Sequence, residues 1–475
     1  MLPDDVLIEI FDFYVDEHMD DEYEKKLTEE WITLAHVCRR WRSVVFQSPR
    51  RLNLRLVCSP LTHARDTLDI WPPLPLIIRV RAEPSRVEDI IAALEYNERV
   101  CQIDLIDLTS PQLENVTGSA AMQKSFPELT FLQLSNINIS MWEYDEPEII
   151  LPDSFLGGTA PRLRSLYLIY VPFPGLPKLL LSATHLVHLD LVGIPPSGYI
   201  LPEAMATCLS MLNSLESLHL RFLSPRPRPA LGSRPPPLSP RSILPCLTKI
   251  RFKGVSEYLE EILARIDAPR VNEMRITFFN QIIFNTPQLF RFISRRSSWS
   301  TQGQPERGHI EFSSEAVTVK FLSQPSDCGV LSVGIICTAS EWQLPSLEQV
   351  CTSSLPPAST LEDLYIFEYR GTPPRWQDDI ESTLWLDLLR SFAAVKNLYL
   401  SEEYVPHIAH ALQELVGGRT AEILPNLENI FLDKFRPLGP LHEDIEKFIA
   451  ARRLASHPVA VSGWDTDRDR EIYDW

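Results

Sequence analysis

One spacing of apolar residues constrains this chain more than any other feature. Leu-x-x-Leu-x-Leu, or a close apolar equivalent, recurs with first positions at 100, 129, 163, 186, 215, 247, 271, 361, 395 and 427. Four consecutive copies are strictly leucine, at 129/132/134, 163/166/168, 186/189/191 and 215/218/220. Proline stands two residues before the first apolar position at Pro127, Pro161, Pro245, Pro269 and Pro425. The last two positions of each copy are two residues apart, so they point to one side of a short strand. A single copy cannot bury such a face, but stacked copies make one parallel sheet with a continuous buried side. The length of 475 residues exceeds one ordinary core and suits a small domain joined to an extended array. Forty prolines against seventeen glycines imply many short elements joined by rigid breaks.

The first fifty residues follow another rule. Leu7, Ile10, Phe11 and Tyr14 follow Leu2-Pro3 at helical spacing, with Asp4 and Asp5 in the first turn where the helix dipole favours negative charge. A second helical period carries Trp31, Leu34, Val37, Cys38 and Trp41, and Arg39, Arg40 and Arg42 are expected near that helix's C-terminal end. The acidic run from Asp16 to Glu30 between them reads as a solvated loop. The residue order Leu2-Pro3-Asp4-Asp5-Val6-Leu7-Ile8-Glu9-Ile10-Phe11, then Leu34-Ala35-His36-Val37-Cys38-Arg39-Arg40-Trp41-Arg42, resembles the F-box. That resemblance implies docking on the Skp adaptor, which links such proteins to a cullin and its ubiquitin-charged partner. Leu2, Pro3, Leu7, Ile10, Phe11, Val37, Cys38 and Trp41 would form the docking surface or the small core beneath it.

The repeated frame in turn resembles leucine-rich repeats, and together with the first fifty residues it is similar, over about residues 1 to 435, to the fungal F-box and leucine-rich-repeat type. The implied fold is α/β: a small helical F-box over 1–52, a linker over 53–73, and an irregular solenoid over 74–475 with a parallel sheet and helices on its outer side. Where many such repeats place Asn, this chain has Ile137, Val171, Ile194, Leu223 and Val255, so that amide ladder is missing. Leu76–Val80 reads as a strand and Ser85 with Glu88 as a capping box before the next helix. The frame lapses between 280 and 358, where irregular repeats are expected with strands at Ala316–Leu322 and Val330–Cys337. The Pro-rich segment 224–241 reads as a loop: a tolerated insertion, a polyproline ligand for an SH3-like partner, or a site of proline-directed phosphorylation at Ser224 or Ser239. A helix over Leu441–Leu454 and the polar tail 465–475 would form a C-terminal cap from about 436.

If the frame points inward, the interleaved residues face solvent on the sheet, the usual recognition surface of repeat arrays. They include His188, Asp190 and His219, then the basic Arg221, Lys249, Arg251, Lys253 and Arg275, then the aromatic Tyr365, Phe367, Tyr399 and Phe431. The basic stripe would recruit an acidic or phosphorylated protein segment, or else neutralise the chain's own acidic loops. The aromatic stripe would anchor a partner or be covered by neighbouring loops.

No motif of an enzyme stands out. There is no Gly-rich phosphate loop, no His-Glu-x-x-His and no Gly-x-Ser-x-Gly elbow. His185/His188 and His407/His410 read as surface pairs, Gly417-Gly418-Arg419 as a helix C-cap, and neither metal nor cofactor is expected. The eight cysteines form no Cys-x-x-Cys pair and read as reduced thiols. No signal peptide or apolar run of about 18 residues is present, so an intracellular chain without membrane contact is expected. The net charge of −18 opposes general nucleic-acid binding. The sequence thus reads as the substrate-recruiting subunit of a Skp-cullin-F-box ubiquitin ligase, with an interaction scaffold without ligase role as the alternative; neither reading makes the chain an enzyme.

Overall fold

The computed structural model describes residues 2–16, 24–47, 52, 54–58, 68, 72–80, 87–106, 108–136, 149–225, 241–281, 283–295, 307–322, 329–337, 339–368, 382–415, 422–433 and 443–464. These form two compact units, Met1–Ile200 with Thr207–Leu215, and Leu201–Ala206 with Glu216–Trp475.

The first unit opens with three helices, α1 (Asp4–Asp16), α2 (Glu24–Val37) and α3 (Arg39–Gln47). The expected second helix is therefore broken at Cys38, whose Sγ accepts the Trp41 N–H at 3.4 Å and starts a new helix. The acidic run is also not all loop: Asp16 ends α1 and Glu24 to Glu30 begin α2. Then come β1 (Leu56–Cys58), β2 (Leu76–Val80), α4 (Val87–Leu94), β3 (Val100–Leu105), α5 (Ser110–Gly118), β4 (Phe131–Ser135), β5 (Ser165–Ile169), α6 (Leu176–Ser182) and β6 (His188–Ile194). The six strands pair in chain order and all in parallel. Leucines meet leucines across them: Leu132, Leu166 and Leu189 are in register, as are Leu134, Leu168 and Leu191. Residue Ser85 of the expected capping box lies outside the described residues, as does Ile137.

Helix α7 (Pro202–Leu209) precedes the sheet of the second unit. That unit contains β7 (Ser217–Phe222), β8 (Ser242–Ile243), β9 (Lys249–Gly254), α8 (Ser256–Leu263), β10 (Ile266–Asp267), β11 (Glu273–Phe279) and α9 (Pro287–Ser294). It continues with β12 (Arg307–Phe312), β13 (Ala316–Leu322), β14 (Val330–Ile336), α10 (Gln343–Ser354), β15 (Asp363–Glu368), α11 (Ser382–Arg390), β16 (Asn397–Leu400), α12 (Val405–Gln413), β17 (Asn429–Asp433), α13 (Glu443–Leu454) and β18 (Ala460–Trp464). Its strand order is β7-β9-β11-β14-β13-β12-β15-β16-β17-β18, parallel except that β13 runs against both neighbours; β8 and β10 form a separate parallel pair. The strands expected at 316–322 and 330–337 are β13 and β14, whereas β12 carries no frame and was not anticipated. The connection 313–315 is too short for a crossover, so the chain must reverse there. Ser313 closes the turn, its N–H donating to the Ala316 carbonyl at 2.8 Å.

Every apolar position of the ten frames is buried. The prolines before them have a local cause. The first apolar N–H of a frame donates to the carbonyl three residues back, as from Leu129 to Phe126, Leu163 to Ala160, Val271 to Ala268 and Leu427 to Leu424. Each is a tight turn, and Pro127, Pro161, Pro269 and Pro425 occupy the second position, where a fixed φ suits it. Helices close the buried side: Tyr258 of α8 packs on Phe222 and Phe252, with ring centroids 4.6 and 6.2 Å away. Polar side chains join successive repeats. The Glu260 carboxylate of α8 accepts the N–H groups of Gln288 and Leu289 at 2.8 Å each, capping α9. Burial nevertheless pushes its pKa up to about 7. Arg452 of α13 is fully buried and donates to the carbonyls of Leu424, Pro425 and Leu427, fixing the turn that leads into β17.

At the C-terminal end, helix α13 lies where a cap helix was expected, but it is followed by β18, which pairs in parallel with β17. The array therefore gains a strand where only a cap was expected; Ala-Val-Ser-Gly-Trp has one inward aliphatic residue and no leucine frame. The polar tail 465–475 lies outside the described residues.

Leu398 is fully buried, so Leu398→Ala is expected to destabilise the protein by about 2–5 kcal/mol in urea unfolding. Leu181→Ala, at a half-exposed helix position, should stay within about 0.5 kcal/mol of wild type.

Candidate protein-interaction surfaces

The N-terminal helices sort the F-box-like residues into two groups. Leu7 and Phe11 are buried with Ile8, Trp31, Leu34, Val44 and Val45, making a small core. Trp41 is half-buried and packs on Phe11 with centroids 4.8 Å apart. Leu2, Pro3, Ile10, Val37 and Cys38 are exposed. Val6, Ile10 and Phe13 recur at i, i+4 and i+7 of α1, and exposures of 40, 47 and 69% mark an outward apolar face. Because α3 is a separate helix, Arg39 and Arg40 sit at its N-terminal end rather than at a C-terminal end as expected. Arg40 compensates by reaching α1, where it binds the Asp4 carboxylate at 2.7 Å and the Leu2 carbonyl. Arg42 donates to the Ala35 carbonyl at 2.9 Å, answering an open acceptor in the last turn of α2.

In the second unit the interleaved residues form rows across the sheet. His219, Arg251, Arg275, Ser332, Lys320, His309, Tyr365, Tyr399 and Phe431 are successive partners in one row. The structure thus gathers Arg221, Lys249, Arg251, Lys253 and Arg275 on β7, β9 and β11. Glu273, which sequence reading passed over, stands among them. It binds Arg251 and Arg275 at 2.9 Å each and lies 3.9 Å from Lys249. Burial alone would raise its pKa, but hydrogen bonding and charge from Arg251, with Arg275 and Lys249, hold it below its ordinary range. Its interleaved place in the frame at 271 was the signal that could have revealed it.

The aromatic stripe is largely committed to itself. Tyr365 stacks on Tyr399 at 4.0 Å and 7°, and Tyr399 on Phe431 at 4.4 Å and 8°. Trp464 of β18 meets Tyr365 and Tyr399 edge-on at 5.6 and 5.7 Å. Tyr365 and Phe367 are buried, while Tyr399 and Phe431 remain half-buried. Beside them runs a side-chain ladder: Asn429 donates to Asn397 at 2.8 Å and Asn397 to Asp363 at 2.6 Å. The ladder expected from other repeats is missing, and this one occupies the residue before the second apolar position of three consecutive frames.

The remaining candidates stay apart. His185 and His188 lie before and at the start of β6, and His407 and His410 on α12. Among the described residues no group of three or more His, Cys, Asp or Glu could hold a metal ion, and no helix is long and apolar enough to cross a membrane. The seven described cysteines are free. Residues 226–240 of the Pro-rich segment, with Ser239, and the Gly417-Gly418-Arg419 C-cap lie outside the described residues.

His309 is buried between these surfaces, with centroids 4.7 Å from Tyr365 and 5.6 Å from Phe367. Burial, with Lys320 and Arg307 adding to it, lowers its pKa to about 3. The folded imidazole therefore stays neutral while the unfolded one gains a proton below its ordinary value of 6.5. Stability is full above that value and falls as pH drops toward 3, by about 2 kcal/mol at pH 5. Urea midpoints at pH 7 and 5 should show this loss in wild type and a loss smaller by that amount in His309→Phe.

No known protein-family model matches the chain, and no curated protein matches it. Among solved structures it is similar to the leucine-rich repeat-containing protein LegL7 from Legionella pneumophila, at 14% identity over 86% of this chain and 99% of that one, with a TM-score of 0.28. At that score the likeness carries no argument, and the repeat architecture rests on the buried frames and strand registers described above.

Proposed function

We propose that this chain is the substrate-recruiting subunit of a Skp-cullin-F-box ubiquitin ligase, docking the Skp adaptor through its N-terminal helices and a target protein through its repeat sheet. The observation that carries the reading is the outward apolar face of Val6, Ile10 and Phe13, flanked in sequence by Leu2 and matched by the exposed Val37 of α2. A helix with a spare apolar side calls for a partner, and the residue order of this segment resembles that of an adaptor-binding F-box. The roles divide by burial: Leu2, Pro3, Ile10, Val37 and Cys38 contact the adaptor, and Leu7, Phe11 and Trp41 hold the helices that present them. The chain itself performs no chemistry. Its repeat sheet holds a captured protein at high effective concentration beside the charged thioester of another subunit.

Isothermal titration of full-length protein with purified Skp adaptor tests the reading. An Ile10→Glu, Val37→Glu variant alters only exposed side chains, so it should keep its thermal unfolding midpoint while losing binding by roughly a hundredfold or more. Wild-type protein that does not bind the adaptor would overturn the ligase reading and leave an interaction scaffold.

A further inference from the structure

Glu273 answers three of the five outward cations, and two remain. Arg221 on β7 and Lys253 on β9 are direct partners in the sheet register. Among the described residues neither pairs with a carboxylate. Burial, and then the charge of Arg221, push the Lys253 pKa below its ordinary value, and its Nζ lies 5.6 Å from the centre of the Phe279 ring. Arg221 is exposed and Lys253 half-buried; two like charges held side by side repel each other, and an arriving anion relieves that repulsion.

The row containing this pair has a definite order of residues. It continues from Lys253 to Thr277, Gly334, Thr318 and Glu311. Gly334 presents no side chain, and a Cβ there would come within 2.9 Å of Thr318 Oγ1. Gly334 is buried and the Thr318 hydroxyl fills the space over it, so the row runs from two cations to the hydroxyls of Thr277 and Thr318. Glu311 closes its far end and is neutralised by Lys320 at 2.6 Å. A carboxylate would answer one cation. A phosphate monoester carries nearly two charges near neutral pH and three acceptor oxygens, enough for Arg221, Lys253 and a threonine hydroxyl.

We infer that the outer face of β7, β9 and β11 docks a phosphorylated segment of a partner protein, with Arg221 and Lys253 holding the phosphate. The inference rests on the repeat sheet being the partner-binding surface but not on adaptor docking. Glu273 acts as an internal competitor that keeps Lys249, Arg251 and Arg275 from drawing anions indiscriminately.

Fluorescence anisotropy of full-length protein with a labelled degenerate peptide pool centred on phosphoserine tests this, beside the same pool with serine and a single-stranded DNA oligonucleotide. Wild type should bind the phosphoserine pool roughly tenfold more tightly than the serine pool. Arg221→Ala and Lys253→Ala should each abolish that preference, Lys249→Ala should retain it, and Glu273→Gln should tighten binding of the phosphoserine pool. Equal binding of the two peptide pools, a preference that survives both cation variants, or equal affinity for the oligonucleotide would overturn the inference. Adaptor binding measured on the same preparations separates the two readings: a retained phosphoserine preference without adaptor binding removes the ligase and leaves this site.

Discussion

Aliphatic side chains stacked strand over strand on one side of each sheet are the interaction on which the rest depends. In the first unit this is a column of leucines in register across β4, β5 and β6; in the second, Leu364, Leu398 and Ile430 repeat it across β15, β16 and β17. Each strand is too short to bury its own apolar side chains, so it is stable only between neighbours. Once the column is fixed, the alternation of a strand leaves no freedom about which residues face away. The charged row, the ring stack and the amide ladder are all consequences of that single choice of side.

Electrostatics then decides how much of the outward face is available. Five cations collect on three adjacent strands, and Glu273 engages three of them. The aromatic end is handled differently, by packing rings on rings until little area remains. The N-terminal helices show the opposite design: their small core is complete, yet Val6, Ile10 and Phe13 still point outward.

Much of this was legible in the residue order because burial imposes periodicity. The frames predicted strands where strands occur, and the interleaved residues predicted which cations would meet. What escaped had physical reasons. The break at Cys38 left no mark in the helical period, since α2 and α3 each keep their own apolar side. Strands β12 and β18 lack the frame because few of their inward residues are aliphatic. Glu273 and the ladder of Asp363, Asn397 and Asn429 sat in readable positions, but their importance lies in distances between strands, which no single frame contains.

The reversed strand β13 has a consequence for how the chain acquires its structure. From β7 to β11, apart from the separate β8 and β10 pair, and again from β15 to β18, each new strand of the sheet joins the one before it there, so order can spread locally. Here the two strands that follow β11 in the chain do not touch it, and its free edge waits for β14, which begins at Val330. Assembly cannot pass this seam in chain order, because β12 and β13 gain a place in the sheet only through β14, and joining β14 to β11 closes a longer loop than the steps before it. The second unit is thus a repeat array whose order along the chain and order across the sheet part company at its centre.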